Sequence, residues 1–362
     1  MNKNKTHLFT ALFTVFVLLF SGNHNMRHWY LLVIPALLCW LYLMWQNHKC
    51  LFRDAVFWLG CSFLVLVSVQ ALRNGFVTDD LCGVPEYSTL IPFGLSKDLS
   101  IFWWAVWFGL FVLLLMLKYI NGNLMKQYAI ALGLIVIIFG AWNFTKVRQF
   151  GLFEYVNNAG TFMVLICAMS LARYKWMNLI VVPIIFLSAS IGHCRFAMVT
   201  IPVLVTYKFT PREFKTIVLI SIAGGLSVTL FHSIDYLMAD RWQEVVTAWC
   251  IIKEFPLFGA GGSSQHFLSL AFSPSYIADI YRAGQPDSHN DWLMFVSEYG
   301  IVGLSLLVSV ACACLWRIRR RSLGCVELGI LMVFLHSMID MPLHCPSVLA
   351  LLIACMRPEE KL

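Results

Sequence analysis

The sequence predicts an all-α, polytopic integral membrane protein, with about twelve transmembrane helices and one long outer loop that contains an amphipathic helix. Three observations carry this expectation. Of the 362 residues, 60% are hydrophobic and only 12% are charged, whereas soluble domains are about a quarter charged. The mean hydropathy is +0.76. The apolar residues also form continuous runs, not the alternating pattern of a barrel strand. Inside lipid a backbone must satisfy its own hydrogen bonds, so such runs imply helices.

A span takes roughly 20 apolar residues, or fewer where protein shields it. Twelve segments qualify: 7–22, 29–46, 55–72, 99–118, 128–145, 158–172, 177–192, 195–207, 215–231, 292–316, 325–339 and 343–356. Lys3 and Lys5 give the first the look of a signal peptide. No small-x-small site follows it, so it is expected to be a retained helix. With a cytoplasmic N-terminus, most of the chain's 26 basic residues fall on inner loops, and Arg317–Arg321 is the strongest anchor. Both termini are then cytoplasmic. The uncertain stretch is 177–207: one broken span there, in place of two short ones, would invert the second half.

Two outer loops are long, 73–98 and 232–291. A loop of that length with its own pattern is usually functional. In the second, Trp242, Val245, Val246, Trp249 and Ile252 recur at helical spacing, which suggests an amphipathic helix lying on the bilayer surface or on the bundle. Pro256 ends it, and Gly259, Gly261 and Gly262 suggest a flexible turn. No repeat or soluble domain is visible, so residues 1–362 are taken as a single membrane domain.

The net charge of +7 is spread over short loops, which fits membrane topology and no nucleic-acid partner. Six of the twelve cysteines (Cys39, Cys61, Cys167, Cys312, Cys314 and Cys355) lie in apolar runs as small hydrophobes. Cys82, Cys194, Cys250 and Cys345 fall on the outer side, where a bridge is left open. No metal-ligand spacing appears.

The densest polar cluster is Asp287-Ser288-His289-Asn290-Asp291-Trp292, where the long loop re-enters the membrane. His289 is the natural general base, with Asp287 or Asp291 to orient its ring. The same residues would equally serve as a helix cap. Arg195 and Arg241 have the planar donor geometry that binds phosphate oxygens, although a snorkelling anchor and a solvated helix face explain them as well. His336 and Asp340, in the segment His336–His344, could approach His289 or simply form a polar turn at Pro342. Asn157 and Asn158 are a weaker signal of the same kind.

The run RWQEVVTAWCIIKEFPLFGAGGSSQHF, followed by DSHNDWLMFVSEYGIVGL, resembles the O-antigen ligase and polymerase superfamily of the Wzy C-terminal type. The matching residues are Arg241, Trp249, Pro256 with Gly259 and Gly261, His289-Asn290, and Glu298 with Gly300 and Gly303. HSMIDMPLHCPS resembles the family's His-x-x-x-Asp turn, and SIGHCRFAM its arginine segment with Arg195. The resemblance covers 190–350 and implies an inverting, metal-independent glycosyltransferase of the bacterial inner membrane, with no cofactor. It implies an undecaprenyl diphosphate-linked glycan as donor and lipid A–core as acceptor, on the periplasmic face. Arg195 and Arg241 would bind the diphosphate, His289 would act as base, and Asn290, Asp287, Asp291, His336 and Asp340 would support it. Polymerisation of a growing glycan and protein O-oligosaccharyl transfer are the alternatives within the family. A lipid or polysaccharide transporter is the alternative outside it. Ionisable residues collected at one set of helix ends suit a surface active site better than a transport path.

Overall fold

The computed structural model describes residues 3–20, 28–73, 97–144, 149–153, 155–174, 176–211, 214, 242, 244–272, 289–318 and 324–356. Among these the chain is helical, without strands. The helices are α1 (Lys3–Leu19), α2 (Tyr30–Leu51), α3 (Ala55–Leu72), α4 (Lys97–Met116), α5 (Gly122–Trp142), α6 (Val156–Arg173), α7 (Asn178–Ile191) and α8 (Arg195–Phe209). They continue with α9 (244–254), α10 (Ser264–Phe272), α11 (Asp291–Ile318), α12 (Cys325–His336) and α13 (Pro346–Cys355). Among the described residues six helices, α2 to α6 and α11, are long and apolar enough to cross a membrane, and α1, α7, α12 and α13 are shorter apolar helices. The architecture is that of a membrane-embedded helical protein. The expected span 215–231 lies outside the described residues, as do 74–96 of the first outer loop and Arg319–Arg321.

The stretch 177–207 forms two helices, α7 and α8, joined by a turn at Gly192–Cys194 and packed on each other and on α6. Helix α6 is the centre of the bundle, in contact with α5, α7, α8, α12 and α13. Lipid tails are as apolar as leucine, so such packing rests on close fit and on polar groups that find partners. The tryptophans of α4 illustrate the second: Trp103 donates to Ser263 Oγ (2.7 Å), Trp104 to Ser68 Oγ (2.9 Å) and Trp107 to Tyr299 OH (2.9 Å). A buried indole N–H left unmatched would be costly.

The two ends of the bundle differ. At one end Lys5 reaches Asn47 and lies over the Tyr119 ring, Lys118 pairs with Asp54, and Arg173 donates to Asn123. Asp54 and Asn121 cap α3 and α5 there, accepting from main-chain N–H groups. The other end gathers the starts of α4, α6, α8 and α11, the end of α12 and the start of α13. The histidine-rich turn lies at this end.

Helix α11 is broken at Gly300, where φ is 64° and ψ is −174°. A break inside an apolar helix exposes backbone groups that lipid cannot satisfy. The turn after α9 fills this one. Ile301 N donates to Pro256 O (2.9 Å) and Val302 N to Leu257 O (3.1 Å). In return Ala260 N and Gly261 N donate to Ser297 O (3.0 Å) and Glu298 O (2.9 Å). Gln70 of α3 adds Nε2 bonds to Phe258 O (2.7 Å) and Glu298 O (3.0 Å). The turn expected to be flexible is therefore a docked plug, because its N–H and C=O groups complete the broken helix. A Cβ on Gly300 would lie 2.2 Å from Leu257 O, and one on Gly259 (φ 65°) 2.3 Å from the Glu298 carbonyl carbon.

Helix α9 buries Glu244, Thr247, Ala248 and Ile251 against the protein. Trp242 and Trp249, expected on its apolar face, are 60% and 53% exposed. The correction has a simple cause: the helix has two non-solvated faces, and the small residues fit the bundle more closely than the indoles do.

Candidate active site

The site is built where the start of α11 meets the turn after α12. His289 lies just before α11 with a left-handed backbone, φ 43°. That conformation costs an L-residue about 1–2 kcal/mol, and surrounding contacts hold it. Asn290 caps α11, its Oδ1 accepting from Leu293 N (3.1 Å) while its Nδ2 donates to Met338 O (2.9 Å). Asp291 N donates to Ser337 O (3.0 Å) and Asp340 O (3.3 Å). These bonds stitch the helix start to the 337–343 turn.

Asp340 is the hub of the turn. Its Oδ1 accepts from Met341 N (2.9 Å) and faces His289 Nδ1 at 3.3 Å. Its Oδ2 accepts from Asn157 Nδ2 of α6 and lies 3.6 Å from His336 Nε2. Burial pushes the Asp340 carboxyl up, but the hydrogen bonds from His289 and His336 outweigh it and hold the group well below the usual carboxylate range. His336 is fixed in turn by Thr161 Oγ1 at 2.9 Å from Nδ1, and by the parallel ring of Phe196, with centroids 3.8 Å apart. On the far side of His289, Glu244 Oε1 of α9 lies 3.9 Å from Nε2. The His289 side chain is 24% exposed, so it is the open member of the group.

The structure thus brings together His289, Asn290, His336 and Asp340 from the sequence-derived set. Asp291 adjoins them but does not orient His289. One turn into the bundle, its carboxylate instead meets His344 Nδ1 (2.5 Å) and Leu343 N (2.8 Å). The orienting acid is Asp340. Arg195 is exposed at the first turn of α8, next to Phe196 and on the site end of the bundle. The N-terminus of a helix and a guanidinium together suit an anion. Arg241 and Asp287 lie outside the described residues. Cys194, Cys250 and Cys345 are free thiols, and Cys82 lies outside the described residues. Among the described residues no group of three or more His, Cys, Asp and Glu is arranged to hold a metal ion.

Sequence reasoning missed Glu244, Thr161, Phe196 and His344. Glu244 sits three residues after Arg241, which places the two on one helix face. That spacing was the available signal. Thr161 stands four residues after Asn157 on α6 and could have been found the same way.

No family model matches the chain, and no curated protein matches it in sequence.

Proposed function

We propose that the chain is an inverting glycosyltransferase of the O-antigen ligase type, acting at the periplasmic face of the bacterial inner membrane. The observation that carries the reading is the partly exposed His289, with Nδ1 against the buried carboxylate of Asp340 and Nε2 facing outward toward Glu244. In this arrangement Nδ1–H donates to Asp340, and Nε2 holds the lone pair of a general base.

The reaction would run as follows. His289 Nε2 takes the proton of an acceptor hydroxyl, on the lipid A–core or another glycan. The acceptor oxygen bonds to the anomeric carbon from the face opposite the diphosphate. The anomeric carbon–phosphate oxygen bond breaks, and undecaprenyl diphosphate leaves with the electron pair. Arg195 and Arg241 neutralise the departing charge. Asp340 and Glu244 stabilise the imidazolium formed on His289. A membrane-embedded chain with its site at one end of the helices suits a lipid-borne donor.

The test is the electrophoretic profile of surface lipopolysaccharide in a deletion strain carrying the wild type or an equally expressed His289→Ala chain. Bare lipid A–core in the variant, against a ladder in the wild type, is expected. Core bearing a single repeat would reassign the protein as a polymerase. A full ladder in the variant would remove His289 from the reaction. A full ladder in the deletion strain itself would exclude lipopolysaccharide as acceptor and point to a protein acceptor or to transport.

A further inference from the structure

Beneath the proposed site lies a second histidine that the reaction does not use. His344 Nδ1 faces Asp291 Oδ1 at 2.5 Å, and Nε2 faces Glu298 Oε2 at 3.2 Å. Its side chain is 9% exposed and both carboxylates are 0% exposed. The ring stacks on Phe295, with centroids 4.7 Å apart, and meets the edge of Trp103 at 5.6 Å. The remaining carboxylate oxygens accept main-chain N–H groups, Glu298 Oε1 from Ser263 (2.7 Å) and Asp291 Oδ2 from Leu343 (2.8 Å).

The proton count of this cluster is constrained by geometry. A neutral imidazole has one N–H and one lone pair. Here both ring nitrogens face carboxylate oxygens, so a neutral ring would aim its lone pair at a buried anion. An imidazolium donates on both sides and neutralises one of the two charges. The titratable groups around it are Asp291 and Glu298 from α11 and Cys345 on its own turn. Asp340 acts on Asp291, and Tyr299 borders Glu298. Helix α4 contributes Trp103, which does not titrate. Burial lowers the affinity of His344 for its proton, but Glu298 and Asp291 outweigh burial and raise its pKa to about 10.

The cluster joins three segments. It grips the 337–345 turn that carries Asp340, the start of α11 beside His289, and the 259–263 turn that plugs the break at Gly300. We propose that His344 is a positioning residue, an imidazolium donating to Asp291 and Glu298 that locks the Asp340 turn and the 259–263 turn onto α11 and so sets the pairing of His289 with Asp340. It touches no reacting atom. Its protonation state stands on this geometry alone, while its effect on turnover rests on the transferase reading above.

The test uses the full chain in lipid nanodiscs, with ¹⁵N-labelled histidine. The ring signals of His344 are assigned by their loss in His344→Gln. Both ring nitrogens protonated at pH 8 is the expected result, and a bare ring nitrogen at pH 8 overturns the proposal even if the variant fails to fold. In glycan transfer from a lipid-diphosphate donor, His344→Gln should lower kcat by about tenfold or more, with KM for the donor within about twofold. The acid limb of its pH–rate profile should move to higher pH, because the surplus buried carboxylate favours the protonated form of a nearby base. Adding Glu298→Gln removes that charge and should return the limb. Unchanged kcat and an unmoved limb in His344→Gln overturn the positioning role. If the wild type transfers no glycan yet His344 is doubly protonated, the transferase reading falls and the assignment of His344 stands.

Discussion

Two histidines of this molecule each sit between two carboxylates, and the difference in how they are held separates chemistry from architecture. His344 is clamped at 2.5 and 3.2 Å by Asp291 and Glu298, beneath aromatic rings. His289 stands 3.3 Å from Asp340 and 3.9 Å from Glu244, is partly exposed, and has a left-handed backbone. A distance of 3.9 Å exceeds a direct hydrogen bond, so Nε2 of His289 is open to a partner from outside. The tight histidine has no room to exchange its proton with a substrate. The loose one has room, and a fixed acid behind it.

The comparison can be broken most severely from the tight side. Gly300→Ala should cost about 3 kcal/mol or more, combining a left-handed backbone penalty with overlap against Leu257 O. Thermal unfolding in detergent should show it, and a melting temperature equal to wild type would mean that the plug does not bear on stability. On the loose side, Asp340→Asn should lower transfer by about 10- to 100-fold, the worth of one charge-assisted hydrogen bond. The purified variant should keep its fold. Glu244→Gln should cost about tenfold or less, because its carboxylate faces His289 at longer range. Its pH–rate profile should shift toward acid, as loss of a nearby anion disfavours the imidazolium.

The smallest effect is in the pH dependence of stability. The folded-state pKa of His344 is raised to about 10, so its contribution is fully present below about pH 6.5 and is lost as pH climbs toward 10. The melting temperature should fall more between pH 7 and 10 in the wild type than in His344→Gln. The carboxyl of Asp340 is shifted the other way, so its contribution is present above the ordinary carboxylate range and disappears only in strong acid. It should add no slope between pH 5 and 8. Equal slopes in the wild type and His344→Gln would show that the clamp carries no net stabilisation.

Much of the helical layout was legible because continuous apolar runs leave few other choices. The residues at the mouth of α11 were legible because His289, Asn290 and Asp291 are adjacent. Their partners were not. Asp340 meets His289 across 51 positions, and only the docking of two turns reveals it. Asp291 looked like the orienting acid because it is near in sequence, yet entry into α11 carries its side chain to His344. Glu244 looked like part of a solvated helix face, since nothing local shows that α9 turns that face inward. The glycines after Pro256 suggested flexibility, because a lone segment cannot show that its free N–H and C=O groups complete a broken helix 40 residues on.

The most direct measurement of the central claim is glycan transfer by the purified chain in nanodiscs, from an undecaprenyl diphosphate-linked glycan to lipid A–core, for wild type and His289→Ala. Transfer by the wild type, with a loss of about 10²- to 10⁴-fold in a variant that melts normally, is expected. Equal rates in the two proteins would contradict the assignment of His289 as the base.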